Sequence, residues 1–318
     1  MANTPNTLDK ETVSDALSNI NVVEVMRDLF TKLGQGRAVQ PPQTVTAFPQ
    51  GGDFITYLGA LGGAGVFGAK LSPYLPREGG PIVTAWSVLM SMETGEPLAL
   101  LDAGALTTER TAATTALAVD LLAPNDRPLK LAIIGAGAVA QAHMRHVAGL
   151  RDWADVRVYS PSLASAPETQ AKWQGLQSGI TLTDTAKAAV QDADVVMLCT
   201  SSGTAVVDVA DLASNALVTS ISTNVARAHE VDPTFLKTAQ VYCDYRATTP
   251  SAAGDMVIAQ ESGWSANDIR GDLAELCVAS CAKPDADRPV FFRSVGLGLG
   301  LGLEDIAIGY AVFQHATA

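Results

Sequence analysis

The sequence predicts an α/β protein with a doubly wound parallel sheet and a second, smaller α+β domain. Three observations lead to this prediction: the length, a glycine-rich turn directly after an apolar strand, and a change in hydrophobic periodicity near residue 124. A chain of 318 residues exceeds the roughly 150 residues usual for one domain, so two domains are expected. Apolar residues make up 47% and charged residues 17%, which excludes a disordered chain.

The composition also excludes several classes of partner. Acidic residues outnumber basic residues by 33 to 21, the net charge is −12, and no run of basic residues occurs. Nucleic acids and membranes are therefore not expected as partners. Because the N-terminal residues lack a basic segment followed by an apolar one, we expect a cytoplasmic protein. The spacing of the four cysteines matches no metal site, so no metal is expected.

The first 124 residues are predicted to form the smaller domain. Apolar residues at helical spacing predict a helix pair over 9–33. Short β-branched and aromatic runs between 39 and 101 predict an antiparallel or mixed sheet. A helix is expected over 107–122, and the segment 124–128, with a proline at each end, is interpreted as a hinge.

The second domain is predicted over 128–300. Short apolar strands alternate there with helical or polar stretches, as in parallel sheets covered on both faces. The predicted strands are 131–134, 156–159, 180–182, 195–199, 217–221, 241–243 and 290–292. A closing helix over 304–318 is expected to return to the first domain and complete it.

The turn after the first parallel strand has the pattern of a dinucleotide site. Gly135 permits a tight turn, Gly137 lets backbone amides approach a pyrophosphate, and Ala138, Val139 and Ala140 open the following helix. Strand, glycine turn and helix together favour a Rossmann-type, NAD(P)-binding domain over an ordinary tight turn.

The residues that follow the second strand indicate whether NAD(H) or NADP(H) binds. Ser160 stands there, with neither the acid that binds ribose hydroxyls nor the arginine that binds a 2′-phosphate. We expect NAD(H) as the cofactor, with NADP(H) left open. Thr200 and Ser201 follow the fourth strand, at the sheet edge where such cofactors bind, and Ser222, Asn224 and Ser294 are further candidates for cofactor contact.

Several blocks together resemble the ornithine cyclodeaminase and mu-crystallin family. The most specific block is Leu106-Thr107-Thr108-Glu109-Arg110-Thr111-Ala112-Ala113, and the others are Gly68 to Leu71, Gly95 to Asp102, the glycine turn, Glu230 to Asp232, Phe292 to Gly296, and Glu304-Asp305. The resemblance implies a dimerising sheet domain, a Rossmann domain and a homodimer. It also implies that Lys70 and Arg110 bind the substrate α-carboxylate as catalytic residues and that Thr111 contacts the pyrophosphate.

Two departures from the family pattern bear on the reaction. Gln43 stands where members often carry an arginine, and Asn224 stands where cyclodeaminases carry an aspartate. Loss of that aspartate favours hydride transfer to an imine over cyclising deamination. Within the family the chain resembles the iminosuccinate reductases most, which implies reduction of a small anionic imino acid, iminosuccinate, to L-aspartate.

A second carboxylate on the substrate needs a second set of donors. Candidates are Ser72, Tyr74, Gln43 and Arg293, and the alternative for Arg293 is an ion pair with Asp305 or Glu304. Two other functions remain open: an ornithine or lysine cyclodeaminase or ketimine reductase, and a non-catalytic protein of the mu-crystallin kind that binds NADPH and a ligand.

Overall fold

The structure, a computed structural model, describes residues 4–49, 51–80, 82–223, 225, 227–295 and 300–318. The chain divides into two compact units. Unit 1 comprises Met1–Arg110 and Gly300–Ala318, and unit 2 comprises Thr111–Leu299.

Unit 1 is built on a mostly antiparallel sheet. Its strands are β1 (Asn6–Leu8), β2 (Ala38–Val39), β3 (Thr44–Ala47), β4 (Asp53–Leu61), β5 (Val66–Leu75), β6 (Ile82–Val83), β7 (Trp86–Ser91) and β8 (Pro97–Asp102). Its helices are α1 (Lys10–Ser18), α2 (Val22–Gly34), the first part of α3 (Gly104–Leu122) and the C-terminal helix α10 (Gly302–Ala316). The strand order is β1-β8-β7-β5-β4-β2, with β3 added to β4 and β6 to β5.

One face of this sheet carries the helices of unit 1. Asp9 and Asn21 cap α1 and α2, since each side chain accepts a hydrogen bond from an N–H group in the first helical turn. Helix α10 packs on β4, β5 and β7, and a side chain at Gly302 would collide with the backbone of Leu58. The predicted helix pair and closing helix are therefore confirmed.

The opposite face of the sheet in unit 1 exposes large apolar side chains. Alternation along β4, β5 and β7 places Phe54, Leu58, Phe67, Leu71 and Trp86 there, between 37% and 50% exposed. Large exposed apolar patches on a folded protein mark sites of association.

Unit 2 contains a parallel sheet with helices around it. Its strands are β9 (Leu129–Ile134), β10 (Trp153–Tyr159), β11 (Ile180–Leu182), β12 (Val195–Leu198), β13 (Leu217–Ser220), β14 (Gln240–Cys243), β15 (Gly271–Asp272) and β16 (Val290–Arg293). The helices are the rest of α3, α4 (Ala138–Val147), α5 (Pro167–Leu176), α6 (Ala186–Val190), α7 (Thr249–Ala252), α8 (Gly254–Glu261) and α9 (Leu273–Cys277).

The strand order of unit 2 is β11-β10-β9-β12-β13-β16-β14-β15, and every pair is parallel. The first strand in sequence, β9, therefore lies inside the sheet between β10 and β12, so the chain reverses its direction of winding there. The predicted parallel strands are all confirmed. Of the strands in this sheet, only the two-residue β15 is missing from the prediction.

The boundary between the units differs from the predicted one. We expected a hinge at 124–128, but the division falls after Arg110, inside the continuous helix α3. The Arg151 guanidinium explains the difference, because it donates to the Asp120 carboxylate and to the carbonyls of Asp120, Ala123 and Pro124. These bonds fix the end of α3 and the segment after it within unit 2. Among the described helices, none is both long and apolar enough to span a membrane.

Candidate functional site

The carboxyl ends of four parallel strands in unit 2 surround a cavity of about 660 Å³. Ile134, Tyr159, Cys199 and Ile221 stand at the ends of β9, β10, β12 and β13 respectively. The other lining residues are Gly135, Ala136, Gly137, Ala138, Val139, Ser160, Pro161, Ala186, Thr200, Ser201, Ser202 and Val206. Dinucleotides bind at this edge of doubly wound sheets, next to the point where the winding reverses.

The glycine turn forms one wall of this cavity. Gly135 has φ +118°, and a side chain there would collide with the Cys199 carbonyl, so only glycine fits. Gly137 is the N-cap of α4 and has no side chain to accept from the first-turn N–H groups. Those donors, at the positive end of the helix dipole, suit an anionic phosphate.

Most of the predicted cofactor contacts lie around the cavity. Seven of them line it: Gly135, Gly137, Ala138, Val139, Ser160, Thr200 and Ser201. Sequence reasoning missed Ala186 and Val206 as lining residues, since neither carries a recognisable motif. Ser202 could have been predicted, because it directly follows Thr200 and Ser201.

Three other predicted cofactor contacts have different surroundings. The Ser222 hydroxyl donates to the Ser202 carbonyl, the Ser294 N–H donates to the Ser220 carbonyl, and Thr111 is fully buried in α3. These three residues are not among those that line the cavity, and their contact with the cofactor stays a prediction. Asn224 lies outside the described residues, as does Gly296 of the motif that begins at Phe292.

Unit 1 holds four charged side chains that are almost completely buried: Lys70, Arg110, Glu304 and Asp305. Lys70 Nζ lies 2.9 Å from Asp305 Oδ2, and Arg110 Nε lies 3.2 Å from Asp305 Oδ1. Arg110 Nη1 lies 3.0 Å from Glu304 Oε2. Asp305 therefore bridges the two cations, and the two positive charges are matched by two negative ones. We call these four residues the charge cluster.

Three elements supply the charge cluster. Lys70 is on β5, Arg110 is on α3, and both acids lie in the first turn of α10, where the helix dipole favours negative charge. The Lys70 ammonium also lies 4.2 Å from the centroid of the Tyr57 ring, a cation–π contact. Gly300 leaves room for Arg110, because any Cβ at Gly300 would collide with the guanidinium.

Burial and charge act in opposite directions on these groups. Burial lowers the pKa of the Lys70 ammonium, and the nearby Asp305 carboxylate opposes that change. Burial alone would lower the pKa of Arg110, but Asp305 and Glu304 raise it above its usual value. Lys70 is thus a cation whose proton is held mainly by Asp305, which suits a group that exchanges a proton.

The other predicted substrate residues of unit 1 lie on the same part of its sheet. Ser72 and Tyr74 alternate with Lys70 on one face of β5, and the Ser72 hydroxyl donates to the Thr84 carbonyl at 3.0 Å. Gln43 is half-buried immediately before β3, which pairs with β4 beside β5. Their contact with a substrate stays a prediction.

The alternative ion pair of Arg293 with Asp305 or Glu304 is wrong. Its side chain is fully buried in unit 2, where the guanidinium pairs with Asp255 and donates to the carbonyls of Ser220, Ser222 and Ser294. The alternative partners Asp305 and Glu304 are used instead by Lys70 and Arg110. Arg293 therefore ties the ends of β13 and β16 together, and its contact with a substrate stays a prediction.

Comparison with known proteins places the chain in a family. The model of the ornithine cyclodeaminase/mu-crystallin family matches residues 5–318. The chain belongs to this family. It is also 51% identical over 322 residues to the NAD(P)H-dependent anabolic L-arginine dehydrogenase DauB of Pseudomonas aeruginosa, covering 100% of this chain and 99% of that one.

Solved structures of the family confirm the fold class. The Δ1-pyrroline-2-carboxylate reductase of Thermococcus litoralis, solved with NADH and L-proline, superposes with a TM-score of 0.87 at 24% identity, covering 98% and 97% of the two chains. The iminosuccinate reductase of Paracoccus denitrificans, solved with NAD⁺, gives 0.87 at 21% identity, covering 98% and 96%. At these identities the likeness establishes the Rossmann-type fold with its second domain and nothing finer.

Proposed function

We propose that this protein reduces the C=N bond of an α-imino acid with a nicotinamide cofactor, and that its substrate is the imino acid of L-arginine. The class of enzyme, an NAD(P)-dependent reductase or amino-acid dehydrogenase, is confirmed by its relatives, as is the nicotinamide cofactor. The finer assignment to arginine is supported by the L-arginine dehydrogenase that matches the chain over its whole length.

The charge cluster carries the argument for the substrate. Lys70 and Arg110, which we assign to one α-carboxylate, already pair with Glu304 and Asp305, and among the described residues of unit 1 no third buried cation is present for the second carboxylate of a dianion. Iminosuccinate has two carboxylates, whereas the imino acid of arginine has one carboxylate and a cationic side chain. The net charge of −12 also disfavours the approach of a dianion more than that of a molecule whose carboxylate and guanidinium charges cancel. We therefore favour arginine over aspartate as the product.

The proposed reaction needs a hydride and a proton. A reduced nicotinamide held at the glycine turn would supply the hydride for the imine carbon, and a proton added to the nitrogen would complete the amine. In this proposal Lys70 is the proton donor and, with Arg110, binds the α-carboxylate. Because Asp305 lies against both cations, it would keep Lys70 protonated for this role.

The lining of the cavity bears on the choice of cofactor. Among the described lining residues none is charged. The lining therefore includes neither an acidic residue that would repel the 2′-phosphate of NADPH nor a basic residue that would bind it. We expect the enzyme to use both NADH and NADPH, with affinities within about tenfold of each other.

A panel of substrates tests the assignment. The purified protein is given NADH or NADPH, ammonia and either 2-oxo-5-guanidinopentanoate or oxaloacetate, and nucleotide oxidation is followed at 340 nm. We expect turnover at least tenfold faster with the guanidino acid, and its loss in Lys70→Ala. Faster turnover with oxaloacetate would establish iminosuccinate as the substrate. Ammonia release from ornithine or lysine would establish a cyclodeaminase, and nucleotide binding without turnover would indicate a binding protein.

We also propose that a second copy of the chain covers the exposed sheet face of unit 1. Supporting this are the adjacent apolar side chains Phe54, Leu58 and Leu71, each more than 40% exposed, and the dimerising sheet implied by the family resemblance. Leu71→Glu should convert a dimer into a monomer in light scattering, because it buries an unpaired charge. Val45→Glu, a matched change on the edge strand β3, should leave the mass unchanged. A monomeric wild-type protein would contradict the proposal.

A further inference from the structure

Glu230 is fully buried in unit 2, and its carboxylate accepts hydrogen bonds from the ends of two strands. Oε1 accepts from the N–H and the hydroxyl of Thr200, each at 2.7 Å, in the loop after β12. Oε2 accepts from the Ser220 hydroxyl at 2.8 Å and from the N–H groups of Ile221 and Ser222 at 2.9 and 3.0 Å, at the end of β13. Oε1 thus accepts hydrogen bonds from the loop after β12, and Oε2 accepts them from the end of β13.

The segments that Glu230 joins form a wall of the cavity. Thr200 and Ile221 both line it. The main-chain carbonyl of Glu230 accepts from the N–H of Val206, another lining residue, at 2.9 Å. The Glu230 carboxylate therefore joins the two loops, together with the Ser222 hydroxyl, which donates to the Ser202 carbonyl.

All five partners of the carboxylate are donors. An ionised carboxylate is an acceptor only, so it matches this environment, whereas an amide would place an NH₂ group against N–H donors. Burial raises the pKa of the Glu230 carboxyl, while the hydrogen bonds from Thr200 and Ile221 and the charge of Arg293 oppose that rise. The sequence comparison with the family includes Glu230 in a motif but gives it no role.

We infer that Glu230 is a positioning residue for the dinucleotide, because it fixes the wall at Thr200 and Ile221 and takes up the backbone N–H groups of these two lining residues, so neither is offered to a phosphate. An anion buried behind this wall disfavours phosphate there. The pyrophosphate is thereby directed to the opposite wall, the glycine turn and the first N–H groups of α4. This inference rests on dinucleotide binding, which is part of the proposed function.

The test compares Glu230→Gln with Asp272→Asn. Asp272 is a matched control, because it is also a buried acid of unit 2 whose carboxylate accepts from backbone N–H groups, those of Arg246 and Glu275, and it does not line the cavity. NADH affinity is measured by fluorescence titration at a temperature where circular dichroism shows each variant folded. We expect the Kd for NADH to rise about tenfold or more in Glu230→Gln and to stay within twofold in Asp272→Asn.

Steady-state kinetics separate positioning from a purely structural role. In Glu230→Gln the KM for the nucleotide should rise with its Kd, whereas kcat at saturating nucleotide should stay within about threefold of wild type. A folded Glu230→Gln that binds NADH as tightly as wild type would overturn the inference. If that variant does not fold, Ser220→Ala decides: it removes one donor to Glu230, so a Kd about threefold higher supports the inference and an unchanged Kd overturns it. Failure of the wild-type protein to bind NADH would instead refute the proposed function.

Discussion

Replacement of Asp305 by asparagine removes the carboxylate that bridges Lys70 and Arg110. The side chain keeps its size but loses its charge, so two buried cations then share Glu304 alone. Removing one partner of a buried ion pair leaves an uncompensated charge and costs about 3–5 kcal/mol. We expect the melting temperature of Asp305→Asn to fall by roughly 10 °C.

Differential scanning fluorimetry measures this change, with Asp28→Asn as the control. Asp28 pairs with Lys32 on α2 in the same unit, but its side chain is 63% exposed. An exposed pair contributes about 1 kcal/mol or less, so the melting temperature of the control should change by no more than roughly 3 °C.

The deficit of Asp305→Asn should also depend on pH. Burial lowers the pKa of Lys70 in the folded protein below its unfolded value, so the folded state binds fewer protons and stability rises with pH between those two values. Without Asp305 the pKa of Lys70 in the folded protein is lower still. The stability of the variant therefore begins to increase with pH at a lower pH than that of wild type. The difference from wild type should therefore shrink as the pH rises toward the usual pKa of lysine, about 10.4.

The double variant Lys70→Met/Asp305→Asn decides whether charge is the cause. It leaves Arg110 opposite Glu304, so the remaining charges are balanced again. We expect the double variant to be more stable than the sum of the single effects predicts, by at least about 1 kcal/mol. Additive effects, or a deficit that does not change with pH, would refute the reasoning.

Three further predictions concern the two units. Gly135→Ala should raise the Kd for NADH at least tenfold, because its φ is unfavourable for alanine and its Cβ meets the Cys199 carbonyl, whereas Gly149→Ala, which has open space, should change it less than twofold. Gly300→Ala should displace the Arg110 guanidinium and lower kcat/KM at least tenfold without changing NADH affinity by titration. Burial raises the pKa of the Cys199 thiol well above its usual value, so iodoacetamide at pH 8 should label it at least tenfold more slowly in the native than in the urea-unfolded protein, as followed by mass spectrometry.

The local patterns of the sequence predicted the elements and the cofactor turn. The predicted strands of unit 2 are mostly apolar runs of three to five residues, which have few alternatives to buried parallel strands, and Gly135 stands directly after the first of them. Ser160, Thr200 and Ser201, which directly follow strand ends and line the cavity, were predicted for the same reason, because the carboxyl edge of such a sheet follows from its topology. Ala186 and Val206 were missed because they reach the cavity from segments without a motif.

The sequence by itself determined the fold class and the dinucleotide turn, and its family motifs led to the prediction that Lys70 and Arg110 bind the substrate. Only the tertiary structure decided which charges meet: Arg110 pairs with Asp305 across 195 positions, and Arg293 pairs with Asp255 instead. It also placed the boundary of the units inside α3 and gave Glu230 its five donors. The physical reason is that the periodicity of a helix or strand depends on residues close together in the sequence. The partner of a buried charge depends instead on how elements distant in the sequence pack together.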